Sequence, residues 1–288
     1  MCKCEPGGDA RPCYPSDLSD AAWAIIGPLM PARDPAKGGA ARKYGDRLVL
    51  DGILFVLRSG CQWRMIPRDL LPWDAAYRWY RAWTADGTRD RIHDHLRELV
   101  RTAEGREAPP SAAVLDAQSI KSGEGGPDRG FDAGKKTTGR KRHLITDTLG
   151  LVLVVAVTSA SVQDRPGGRR VLARLAAAFP SVGLVWADAG YANRIDSNLL
   201  NWAYEKWRLV VEIVRRPEGA KGFQVLPRRW VVERTFGWLV RNRRLARDYE
   251  RLTGNSETMV KIAMIRLMAT RLAGQSACWS NRLPDQAA

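Results

Sequence analysis

Three acidic residues stand out for what they could do together. Asp116 closes the apolar run VLD, Asp188 closes LVWAD, and Glu233 lies inside the periodic stretch PRRWVVERTFGWLVRNRRL. A carboxylate at the edge of a buried strand must be paired, solvated or bound to metal, because isolation in low dielectric is costly. A lone strand-end aspartate is better explained as the cap of the turn that follows. Two such strands lying side by side and parallel would instead bring both carboxylates to one end of a sheet, where ligands of open α/β sheets gather. The third acid strengthens that reading. Val232, Phe236 and Leu239 recur at i, i+4, i+7, and Glu233 follows Val232 by about 100° around the helix, so it is expected beside the core-facing stripe and partly shielded. Arg229, four residues earlier, is its expected ion-pair partner, worth a few tenths of a kcal/mol. Carboxylates from two strands and a helix suit hard divalent cations. Two ions bridged across them could activate a water or a 3′-hydroxyl and stabilise the leaving oxygen of an in-line phosphoryl displacement.

The surrounding charge fits a phosphate substrate. Lys and Arg number 46 against 31 Asp and Glu in 288 residues, a formal net charge of +15, with a pI near 10.1. That balance favours a polyanionic partner, nucleic acid foremost. Residues 215–251 hold eleven Lys or Arg and four Asp or Glu, so a surplus of seven surrounds Glu233. Arg241, Arg243, Arg244 and Arg247, interleaved with Trp238, suit a DNA backbone better than a plain solvated face. A second basic stretch, KKTTGRKRH at 135–143, contains Lys141 and Arg142. It either contacts phosphate or forms a solvent-exposed hairpin tip.

Holding these groups requires two kinds of chain. Ser19 offers an N-cap before Trp23, Ile26 and Leu29, a short helix closed by prolines and followed by a polar, glycine-rich loop. From Asp46 the apolar positions Val49, Ile53, Val56 and Leu57 predict a helix buried along one stripe and stopped by Gly60. Pro72 introduces a segment with Trp73, Tyr77, Tyr80 and Trp83, and Ile92, Leu96, Leu99 and Val100 mark another amphipathic helix. Residues 14–103 therefore read as a small all-helical domain, ended by the unpatterned AEGREAPPS at 103–111. Beyond it, AAVLDAQSI, KRHLITDT, LVLVVAVTSA, VGLVWADAGY and RLVVEIVRR read as strands. Helices are predicted at about 166–179, 194–206, 227–250 and 256–272. This order predicts an α/β domain over 111–273, with hairpins on one side of a sheet continued by parallel crossover units, and with 1–13 and 274–288 as flexible tails.

Other chemistries lack their residues. The longest apolar stretch, 149–157, contains a glycine and is too short for a membrane span. The N-terminus has no apolar core for a secretory signal, so a cytoplasmic protein is expected, nucleoid-associated when on DNA. Cys2, Cys4, Cys13, Cys61 and Cys278 lack paired C-x-x-C spacing; a zinc site at the first three is less favoured than a frayed tail with unpaired thiols. His93 and His95 point in different directions on a helix and His143 stands alone. Neither a G-x-S-x-G elbow nor a phosphate-binding G-x-x-x-x-G-K-[ST] loop occurs.

RSGCQWRMIP, RWYRAW, LDAQSIKS, GRKRHLITDTLGL, the DAGY around Asp188 and RRWVVERTFGWLVRNRRL occur in this order, with acid separations of 72 and 45 residues. Together they resemble the IS5 family of bacterial insertion-sequence transposases, within the D-D-E recombinase group, over nearly the whole chain. The resemblance implies a ribonuclease-H-like domain preceded by a helical one. Asp116 on the first strand, Asp188 after the fourth and Glu233 on the late helix would form the catalytic, metal-binding triad for two Mg²⁺ or Mn²⁺ ions. It also implies cleavage at terminal inverted repeats, transfer of the 3′-OH ends into target DNA, and a homo-oligomer on DNA. Arg229 matches the arginine of a Y-R-E-K-type signature, whereas Leu226 and Val240 stand where its tyrosine and lysine would be, leaving Arg241 to take over the phosphate contact. Asp164 is implied to be structural or accessory, and Arg58, Arg64 and Arg78 to meet inverted-repeat phosphates. Two alternatives remain: a DNA-binding relative without catalysis, and a ribonuclease-H-like nuclease that does not join strands.

Overall fold

A computed structural model describes residues 14–32, 42–123, 126–192, 198–215 and 227–275. Cys2, Cys4, Cys13, Cys278, Leu226 and most of the two predicted tails lie outside these residues. The chain divides into two compact units, Met1–Arg106 with Ile262–Ala288, and Glu107–Lys261.

The first unit is helical. Helix α1 (Asp20–Ile26) starts at Ser19, whose hydroxyl accepts the Ala22 N–H. Helix α2 (Asp46–Ser59) buries Val49, Ile53, Val56 and Leu57 completely and ends at Gly60, in the left-handed region at φ 74°. Helices α3 (Trp73–Ala85) and α4 (Thr88–Ala103) follow. Trp63 packs its ring on Tyr77 and Tyr80. Leu99, expected on the buried stripe of α4, is exposed. The buried rows run through Ile92, Leu96 and Val100 and through His93, Arg97 and Arg101, which turns residue 99 outward.

The second unit is a six-stranded mixed sheet flanked by helices. Its elements are β1 (Ala112–Lys121), β2 (Gly130–Asp132), β3 (Thr137–Asp147), β4 (Val152–Ser159), α5 (Asp164–Ala178), β5 (Leu184–Ala187), α6 (Asn198–Trp207), β6 (Val210–Ile213), α7 (Pro227–Val240) and α8 (Arg243–Ala246). The first residues of α9 (Thr253–Leu272) also belong to it. The strand order is β2-β3-β1-β5-β6, with β4 also on β3. The β1–β3 and β3–β4 pairs are antiparallel, and β1–β5 and β5–β6 are parallel. Hairpins therefore lie on one side and crossovers on the other, as the strand pattern predicts.

Alternation along β1 sends its residues to two faces. Ala113 and Leu115 enter a core built with Val171, Leu172 and Leu175 of α5 and with Leu199 and Ala203 of α6. Val114 and Asp116 consequently face the other side, where α7 packs across β1, β3 and β5.

Three expectations need correction. The short strand β2 was not anticipated, so Asp188 follows the fifth strand rather than the fourth. Asp116 lies in mid-strand, because β1 runs on to Lys121 along β3. The helix predicted over about 227–250 stops at Val240 and is followed only by the single turn of α8. The break has an electrostatic reason. Arg140 and Arg142, fully buried on β3, need acceptors. Arg140 donates to Asp248 and to the carbonyls of Pro127, Glu250 and Arg251. Arg142 donates to the Leu245 carbonyl. A helix continued to about residue 250 would have committed the Leu245 carbonyl to its own ladder.

The β1–β3 register leaves no room at Gly139, where a Cβ would come within 2.0 Å of the Ile120 carbonyl oxygen. Gly139→Ala is expected to lower stability by about 2–3 kcal/mol. Gly183→Ala, with nothing within 4 Å of its Cβ position, should stay within about 0.5 kcal/mol of wild type. Urea unfolding of both variants checks the contrast.

Candidate active site

The register of the parallel pair brings the two aspartates level. Ala112, Ala113 and Val114 pair with Leu184, Val185 and Trp186, an offset of 72 residues. Asp116 and Asp188 are separated by the same 72 positions. One step past the end of β5, Asp188 therefore reaches the level of Asp116 on the neighbouring strand. It caps the 3-10 turn Ala189–Tyr191, its Oδ1 accepting the Gly190 N–H at 2.9 Å. Asp116 accepts the N–H of Ala117 at 2.7 Å.

Helix α7 supplies the third acid. Val232, Phe236 and Leu239 are buried as the periodicity predicts. Thr235 donates to the Gly150 carbonyl and Arg234 to that of Leu149, which ties the helix to the β3–β4 turn. Its first turn is held by Arg228, which stacks on Trp186 and pairs with Glu212 at 3.0 Å. Glu233, expected to be partly shielded, keeps 40% of its side chain exposed.

The three carboxylates meet around one cation. Arg229 Nη2 lies 4.0 Å from Asp116 Oδ2, 3.9 Å from Asp188 Oδ2 and 3.6 Å from Glu233 Oε1. All three oxygens thus fall within 4.0 Å of a single nitrogen, and each distance exceeds a good N–H···O bond. Burial pushes the Asp116 carboxyl up to about 6, and the Asp188 charge adds to the rise against the Ala117 N–H, Arg229 and Lys135. Among the described residues, no three of His, Cys, Asp and Glu are drawn closely enough to enclose a metal ion as they stand; here the guanidinium occupies the centre. The donors are all hard oxygens directed at a positive charge, and such a set fits a small divalent cation in its place.

A second layer of charge lies behind the first. Lys135 Nζ donates to the Ala117 carbonyl at 2.6 Å. Lys141 Nζ stands 3.0 Å from both Asp132 and Asp164. Burial works against the charge on Lys141, but those two carboxylates outweigh it and raise its pKa above the ordinary lysine value. Asp132 is likewise opposed by burial, yet hydrogen bonds from Ser119, the Lys135 N–H and Lys141 hold it well below the usual carboxylate range.

The basic residues named from the sequence divide. Arg64, Arg78, Arg241, Arg243 and Arg247 are exposed, and Arg58 and Arg229 are half-buried. Lys141, Arg142 and Arg244 are buried instead. Stretch 135–143 is no solvent-exposed tip at its second half: its charges are taken up by Asp132, Asp164 and the Leu245 carbonyl. Arg244 pairs with Glu250 at 2.7 Å. A cation committed to buried partners is unavailable to phosphate, so these three are withdrawn as DNA contacts. Two residues of the site escaped the sequence reading. Lys135 lay unremarked in the basic stretch, while Asp132 carried no signal at all.

Comparison with known proteins identifies the family. Residues 18–93 match a family described as transposase of the IS4/5 family, and residues 107–268 match the family described as transposase DDE domain, whose fold is ribonuclease-H-like. The chain is also 33% identical over 109 residues to a Burkholderia cepacia protein described as insertion element IS402 uncharacterized 16.2 kDa protein, covering 36% of this chain and 73% of that one. A helical segment and a mixed α/β domain thus each match transposases, and the chain belongs to the insertion-sequence transposases that carry a DDE domain.

Proposed function

We propose that the protein cleaves DNA at the terminal inverted repeats of its element and joins the freed 3′-hydroxyl ends to target DNA, with Asp116, Asp188 and Glu233 as the catalytic acids. The observation that carries this reading is the convergence of all three on the one nitrogen of Arg229. Asp116, Asp188 and Glu233 would hold Mg²⁺ or Mn²⁺, as two ions, which supply Lewis-acid activation of the attacking and leaving oxygens. Asp116 and Asp188 are fixed by strand register and by backbone N–H donors. Glu233, on an exposed stretch of α7, can adjust to the substrate. Arg229, displaced from among the acids, is within reach of a bound phosphate and would orient it. In the first step water displaces a 3′-hydroxyl from a phosphodiester. In the second that hydroxyl attacks a target phosphodiester and expels another 3′-hydroxyl, so the number of phosphodiester bonds is conserved in joining.

Exposed Arg241, Arg243 and Arg247 would grip the backbone near the acids. Arg64, Arg78 and Arg58 of the helical unit would bind the repeats. Arg64 lies over Trp73, 5.2 Å from its ring centroid, and presents a flat cationic surface of the kind that tracks phosphates. Among the described residues no helix is long and apolar enough to cross a membrane. Element ends act in pairs, so the working form is a homo-oligomer on DNA.

Two measurements test the reading. With duplexes taken from the two flanks of the reading frame and Mg²⁺, wild type should yield strands joined to a target plasmid. Asp188→Ala should lose more than about a hundredfold in rate, beyond the usual cost of losing a support of a metal ligand. Undiminished activity in that variant removes the acid assignment, and cleavage without joining makes the protein a nuclease.

The second concerns stability in the metal-free protein. Asp116 has a folded pKa of about 6 against an ordinary 3.8, so between these values the folded state binds more protons than the unfolded one. Its contribution is fully present below pH 3.8 and is lost as pH rises through 6. Asp116→Asn should therefore be more stable than wild type at pH 7, by about 2–3 kcal/mol, with the gap closing towards pH 4. Millimolar Mg²⁺ should raise the melting temperature of wild type and not of the variant. A variant less stable than wild type at neutral pH contradicts the account.

A further inference from the structure

Helices α5 and α6 approach each other at Gly168, where an added Cβ would come to 3.4 Å from Leu199 Cδ2 and to 2.8 Å from the Tyr191 ring. Tyr191 ends the 3-10 turn that Asp188 caps, so the α5–α6 contact adjoins the turn that carries one of the three acids. Arg169, one residue on and about 100° around α5, is exposed. It lies over Trp202 of α6, its Cζ 5.0 Å from the ring centroid. Lys206 Nζ stands 6.0 Å from the same ring and 5.1 Å from that of Trp207, and the two indoles meet edge-on at 4.7 Å. Arg208 lies 5.2 Å over Tyr204, which is itself exposed. Three cations and three aromatic rings thus share one outer surface of the second unit.

The rings form a fixed platform, because Trp202 and Trp207 also pack against the core beneath α5 and α6. The cations are not spent on the protein. Arg169, Lys206 and Arg208 are exposed and form no ion pair with any described residue, and Glu205 is the only acid in α6. A guanidinium lying flat on a ring keeps its N–H edge for a phosphate. Arg208 adds a second sign of use. It ends α6 in the left-handed region at φ 56°, with the Leu209 N–H returning to the Ala203 carbonyl, a helix end that glycine adopts without strain. A long cation stands there against the backbone preference, which points to a task for its side chain.

We propose that the α5–α6 face seats target DNA by its phosphates, with Arg169, Lys206 and Arg208 as the contacts. The inference rests on the joining reaction proposed above. Target DNA must be held beside the acids, and phosphate contacts supply affinity that does not depend on sequence. Cations pressed onto rings, unpaired with acids and next to the Asp188 turn, meet both needs.

The test compares full-length wild type, Asp188→Ala, Arg208→Gly and the triple variant Arg169→Ala, Lys206→Ala, Arg208→Gly. Binding to a random-sequence duplex is measured over a salt series, and joining of a pre-cut flank duplex is measured with Mg²⁺ against target concentration. In the triple variant the slope of log affinity against log salt should fall by about 3, one for each lost phosphate contact. Half-maximal joining should need about tenfold more target or beyond, with the rate at saturating target within about twofold of wild type. Arg208→Gly alone should melt at or above the wild-type temperature, yet lower the slope by about 1; if the triple variant does not fold, this slope decides. Unchanged slope and target requirement, with Asp188→Ala unable to join, overturn the inference and leave the catalytic reading standing. If Asp188→Ala joins as wild type does, the catalytic reading fails and the salt slope alone decides the surface. A triple variant that binds DNA normally but sediments differently without DNA assigns the face to a second copy of the chain and overturns the proposal.

Discussion

Carboxylates gathered in one half-dry corner repel each other, and in this protein a single guanidinium opposes that repulsion. Opposite unit charges about 4 Å apart attract by about 4 kcal/mol at an effective dielectric of about 20, before desolvation is counted. Arg229 has three such partners, at 3.6 to 4.0 Å. None is a close hydrogen bond, so the guanidinium balances the charge without being locked in. Such a cation can be exchanged. Burial is the main cause of the raised Asp116 carboxyl and the Asp188 charge adds to it; a divalent ion among the acids would offset both more strongly than one guanidinium.

The rest of the second unit holds the acids against that repulsion. Two are fixed by backbone: pairing of β1 with β5 sets their level, and strand alternation turns Asp116 away from the α5–α6 core. The third is fixed by α7, anchored at its start on Trp186 and Glu212 and further along on the β3–β4 turn. Buried arginines do similar work at the end of the helix. Arg140 and Arg142 draw the carbonyls of residues 245, 250 and 251 onto β3. That forces the chain out of α7 and leaves Arg241, Arg243 and Arg247 on its exposed side.

Much of this was legible in the amino-acid sequence, and the reasons are particular. Val232, Phe236 and Leu239 announce a helix stripe because burial has a helical period. The apolar runs that stop at Asp116 and Asp188 announce a ligand-binding edge because charge interrupts them. What could not be read was long-range pairing. Lys141 and Arg142 look like surface cations until Asp132, Asp164 and the Leu245 carbonyl are known to lie beside them. Arg244 looks equally free until Glu250 folds back onto it. The end of α7 was misjudged for the same reason, since the acceptor demand that breaks it comes from β3, about a hundred residues away.

A crystal structure grown with Mn²⁺ and measured at the manganese absorption edge would show whether a divalent ion takes the place of Arg229. The account predicts anomalous density within about 2.2 Å of oxygens from Asp116 and Asp188, with the Arg229 guanidinium withdrawn from between them. Density bound elsewhere, with Arg229 still seated among the three acids at saturating Mn²⁺, would contradict it.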